Sequence, residues 1–79
     1  MSDQVLSEDN LERLRRAIPN AGNDPHGEEI HAEGYRLAVA MLEAAAQLGY
    51  EIDNQLLATV SQAAYQAAIF RVARRTRDE

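Results

Sequence analysis

Apolar residues recur along most of this chain at spacings of three and four, the period of α-helices that each bury one side. In the first segment, over about residues 7–18, the stripe is Leu11, Leu14 and Ile18. Ser7 is a good N-cap for it, Glu8 and Asp9 place carboxylates at the favoured end of the helix dipole, and Leu6 and Leu11 have the spacing of a hydrophobic staple. Pro19 ends this helix, and the turn-forming run 19–24 reads as a linker. A second helix is predicted over about 25–48, with Asp24 as cap, Pro25 at the first helical position and Gly49 as a left-handed C-terminal stop. Its length would be about 36 Å. A third is predicted over about 54–75, capped by Asp53, with Ile52 and Leu57 as a second staple. The short connection between the last two predicts that they lie antiparallel. The expected fold is all-α: one domain over residues 1–79, a short N-terminal helix followed by a long antiparallel helical hairpin.

The hairpin stripes are wider than one partner needs. On helix two, Ile30, Gly34, Leu37, Met41, Ala44 and Leu48 fall at heptad spacing, with Tyr35, Ala38, Leu42 and Ala45 beside them. On helix three, Leu56, Val60, Ala63, Ala67 and Phe70 form one seam, and Leu57, Ala64, Ala68 and Val72 a second. Two seams per helix predict two packing partners per helix. The first helix is too short to cover the remainder. The expectation is therefore a four-helix-bundle dimer or a higher symmetric oligomer, with Ile30, Gly34, Leu37, Met41, Leu48, Leu56, Val60 and Phe70 at the interface. Gly34 is unusual inside a helix, where glycine costs about 1 kcal/mol relative to alanine. Its place on the seam suggests a close crossing with a neighbouring chain, against an equal weight for a tolerated weak point.

Composition strengthens the case for self-association. At 79 residues and without cysteine, the chain has neither disulfides nor thiolate metal sites to supplement a small core. Burial of roughly 8,000 Å² on folding contributes on the order of 120 kcal/mol, and chain ordering opposes it by a similar amount. The net charge of -5 argues against general nucleic-acid binding, which needs a basic surface. No run approaches membrane-spanning length and no basic-then-apolar leader opens the sequence, so a cytoplasmic location without membrane partners is expected. Charge is uneven: residues 1–53 carry eleven acids against four arginines, and residues 54–79 four arginines against two acids. Dipole compensation at the helix-three C-terminus, or pairing with the acids of helix two, accounts for most of this.

The sharpest chemical constellation is Glu28 with His31, whose i, i+3 spacing puts both on one helical face. Di-iron carboxylate bundles hold metal with such a pair, but they also need carboxylates from two further helices. Helix three offers no acid between Asp53 and Asp78. An ordinary acidic helix start outweighs metal binding here, and neither cofactor nor metal is expected. The serines have no histidine at a plausible place: Ser7 is a cap and Ser61 lies within a stripe. The glycines form no phosphate loop. No catalytic residues are expected, and the chain is read as a non-enzyme.

Two function classes remain. The first is a non-catalytic helical oligomer that binds another macromolecule, most simply a protein, as an adaptor, regulator or inhibitor. Its contact surface would be the exposed edge of helix two, Glu29, Glu33 and Arg36 with Tyr35, plus Arg71, Arg74 and Arg75. Small helical proteins with which phages and mobile elements disarm host factors have this general form, though no motif carries the comparison. The second class is a ligand-holding oligomer, using Glu28 and His31 for a metal or clustered arginines for an anion.

Overall fold

The computed structural model describes residues 6–18 and 25–77, and these contain three helices and no strand: α1 (Glu8–Ala17), α2 (Gly27–Gln47) and α3 (Asn54–Arg77). Local chemistry accounts for most of the boundaries. The Ser7 hydroxyl accepts from the Asn10 amide at 3.1 Å, closing the start of α1. The Asp53 carboxylate accepts from the Leu56 amide at 2.8 Å and starts α3 in the same way. Gly49 adopts φ +92°, which lets the Gly49 amide reach the Ala46 carbonyl and the Tyr50 amide reach the Ala45 carbonyl. This paired arrangement is a Schellman stop, and it turns the chain out of α2 within two residues.

Two boundaries differ from expectation. Pro25 and His26 form a turn, and α2 begins at Gly27 with His26 as a cap that makes no side-chain capping bond. The predicted Asp24 cap, the Pro19 stop and the 19–24 linker lie outside the described residues. At the other end α3 continues two residues past the expected Arg75, through a last turn rich in Arg74, Arg75 and Arg77.

Contacts between α2 and α3 run in reverse order along the two helices. Glu29 meets Arg75, Glu33 meets Arg71, and Gly34 lies beside Tyr65 and Ala68. The seam is thin, because Ala38, Ala64 and Ala68 are fully buried within it. Small side chains bring the helices close but each contributes little transfer energy. Larger residues come from α1 and its approach: Leu6, Leu14 and Ile18 are buried together with Leu42, Leu57 and Val60, and Leu11 packs against the same cluster. A second, smaller cluster of Ile30, Ala68 and Val72 holds the open end of the pair.

The first helix, short as it is, docks on both of the others. It lies across one flank of α2 and α3, next to Tyr35, Val39, Leu57 and Ala58. Arg15 stacks its guanidinium 5.2 Å from the Tyr35 ring centroid, and Arg13 donates to the Asn54 side chain at the start of α3. One polar and one cation–π contact therefore tie α1 to each of the other helices. No helix among the described residues is long and apolar enough to cross a membrane.

Candidate functional site

With α1 on one flank, the opposite flank of the helix pair is left open, and it is apolar. On α2, Met41 is 42% exposed and Leu48 77%, while Ala44 is exposed and Leu37 half-buried. On α3, Phe70 is 73% exposed, Ala63 and Ala67 are exposed and Leu56 is half-buried. The α2 residues are spaced 4-3-4, and Ala63, Ala67 and Phe70 are spaced 4-3, so each set forms a continuous helical stripe. On both helices the stripe falls on the side turned away from α1. Helical geometry fixes this. Tyr35, Val39 and Ala58, which flank α1, lie on one side of the buried seams, and the exposed set lies on the other side.

Which seam turned inward was not readable from spacing alone. The inward seam of α3 is Leu57, Ala64, Ala68 and Val72, all buried. Three residues expected at an oligomer interface are instead committed within the chain. Ile30 packs on Ala68 and Val72, Val60 joins the cluster under α1, and Gly34 is covered by Ile18 and α3. The close crossing anticipated at Gly34 is with this chain's own α3: a Cβ there would stand 3.7 Å from both the Tyr65 Cα and the Ala68 Cβ.

The charged edge expected as a partner surface is also drawn inward. Glu33 was expected to be exposed; its side chain is only 10% exposed, because Arg36 and Arg71 both reach the same carboxylate oxygen, Arg71 at 3.1 Å. Arg75 stands 3.8 Å from Glu29. These pairs bridge α3 to α2 near its start and consume charges that sequence spacing leaves looking free. Tyr35 is half-buried beneath Arg15. Arg74 is exposed and makes no ion pair among the described residues, and the same holds for Arg77 at the end of α3. At the opposite end of the molecule, Glu51 and Asp53 are exposed acids with no cation partner among the described residues.

Glu28 is exposed and His31 half-buried, and no group of three or more potential metal ligands occurs among the described residues. The concavities are shallow. One groove lies between α1 and α3 at Arg13, Arg16 and Leu57; a second flanks the tip at Tyr50, Asp53 and Leu56; a third runs beside Tyr35 under α1. Ser61 is buried with its hydroxyl unpartnered among the described residues, inside the seam and away from these grooves. Tyr50 and Ile69 are further exposed apolar residues that lie outside the stripes. Tyr50 follows the Gly49 turn, and its outward position is a consequence of that turn.

Compared with known protein families, curated proteins and solved structures, the chain matches none of them. The open apolar flank is accordingly the feature on which a functional reading rests.

Proposed function

We propose that this chain is a non-enzymatic helical protein whose antiparallel hairpin self-associates into a four-helix bundle and which acts by binding another macromolecule, as an adaptor, regulator or inhibitor. The open flank carrying Met41, Leu48, Ala63, Ala67 and Phe70 carries this reading. An apolar surface spanning two helices over several turns marks an interaction site in a small protein. The ionisable groups lend further support: Glu29, Glu33, Arg36, Arg71 and Arg75 converge on one another instead of lining a pocket.

Sedimentation velocity tests the assembly. Wild-type protein is expected to sediment as a dimer at micromolar concentration, and Phe70→Asp as a monomer that keeps its helical circular dichroism. A stable wild-type monomer refutes the assembly. Affinity capture from the native host tests the binding role, which fails if no macromolecule co-purifies in stoichiometric amount.

A further inference from the structure

We infer that the open flank is closed by a second copy lying head to tail, α3 on α3 and α2 on α2, about a twofold axis level with Ala63. This rests on the self-association proposed above and specifies its partner, orientation and register.

The orientation follows from the ions left over. Glu29 and Glu33 are already paired within the chain, so among the described residues the cations without an ion pair at the open end are Arg74 and Arg77; the unpaired acid there, Glu28, is placed by helical spacing with Tyr35 and Val39 on the α1 side of the seam. The acids at the tip without a cation among the described residues are Glu51 and Asp53. Head-to-tail stacking sets the unpaired cations of each copy on the unpaired acids of the other. Tip-to-tip stacking would instead bring Glu51 and Asp53 of both copies together, with like charge opposed to like.

The register follows from helix rise. Gly34 lies against Ala68 and Tyr65, so with Ala68 as the reference, and both helices advancing about 1.5 Å per residue in opposite directions, the levels along the pair are set to within a turn. Five residues nearer the tip, Ala63 is therefore level with Val39. A twofold axis at this height pairs residues whose numbers are symmetric about 63 on α3 and about 39 on α2. Phe70 then falls on Leu56 of the second copy, Leu37 on Met41, and Ala63 on itself. On α3 the large Phe70 and Leu56 meet away from the axis and the small Ala63 sits at the crossing, where the backbones must approach, while on α2 Leu37 and Met41 meet close to the axis. The same operation carries Arg74 to position 52 of the second copy, between Glu51 and Asp53. The α3 stripe from Leu56 to Phe70 is centred on this axis, and on α2 the axis falls between Leu37 and Met41, with Leu48 reaching beyond them toward the tip. The flank extends about 24 Å from Leu48 to Phe70 and is two helices wide, so it is of the size needed for the roughly 800 Å² per partner of a stable interface.

The chain has no cysteine, so a single introduced thiol reports its own environment. Ala63 is exposed, and Ala63→Cys is expected to form a disulfide-linked dimer under mild oxidation, whereas Gln62→Cys, one residue round the helix, stays unlinked. Arg74→Glu is expected to weaken the dimer roughly tenfold, with Glu51→Arg in the same chain restoring it. A wild-type dimer in which Ala63→Cys fails to cross-link, or in which the double charge reversal does not recover association, overturns the head-to-tail arrangement alone. A wild-type monomer overturns the self-association beneath it as well.

Discussion

Gly34→Ala is expected to stabilise the protein, and the size of the gain can be worked from the structure. Glycine at this position is buried in the middle of α2, so it has no positive φ and no turn to serve. A methyl group placed there would meet the Ile18 Cγ2 at 3.6 Å and the Ala68 Cβ and Tyr65 Cα at 3.7 Å. These are ordinary contact distances, so the methyl fits without displacing α3. Replacing a helical glycine by alanine contributes about 1 kcal/mol through reduced chain entropy, and a buried methyl adds about 0.8 kcal/mol. Allowing for partial overlap of the two effects, the gain is about 1.5 kcal/mol. In a domain of this size that raises Tm by about 6–12 °C. Thermal and urea unfolding at one fixed protein concentration would measure it, since an associating protein has a concentration-dependent Tm. Gly34→Leu is the companion variant: its extra carbons have nowhere to go between α2 and α3, and overpacking is expected to destabilise by about 1–3 kcal/mol. If Gly34→Ala lowers Tm, the helices lie closer than described and the account of this seam is wrong.

Other substitutions probe separate parts of the fold. Leu14→Ala removes a fully buried side chain and is expected to destabilise by about 2–5 kcal/mol in urea unfolding, whereas a loss under about 1 kcal/mol would mean that α1 is not docked. The Arg36→Ala, Arg71→Ala double variant strips both cations from the Glu33 carboxylate and is expected to cost about 2 kcal/mol, discounted because both arginines are about half-exposed or more; unchanged stability would dismiss the ion-pair clasp. Asp53→Ala deletes the α3 cap at a cost of about 1 kcal/mol by the same assay, and a neutral result would place the helix start elsewhere.

Much of the fold was legible from residues that act locally. Ser7, Asp53 and Gly49 each carry their structural instruction in their own side chain or its absence, and each does what that chemistry implies. The start of α2 was misread by two residues because Pro25 suits a turn as well as a first helical turn. Burial was harder to read. Both seams of α3 are about equally apolar, so the choice between them depends on where α1 docks, and no periodicity encodes that. The charged edge failed for a related reason. Glu33 has ordinary i, i+3 spacing to Arg36, but its burial comes from Arg71, which is distant in sequence and near only once α2 and α3 are in register.

The docking of α1 also sets how many neighbours the molecule can take. A bare pair of long helices with two apolar flanks has two contact surfaces on opposite sides, and heterologous repetition of such contacts grows without limit into fibres. Leu14 and Ile18 occupy one of those flanks, which leaves one open among the described residues. A body with a single sticky face can close with one mate and then stop. Under the self-association proposed above, the ten residues of α1 would act as a chain terminator for assembly, fixing valence at one by filling the second site from within.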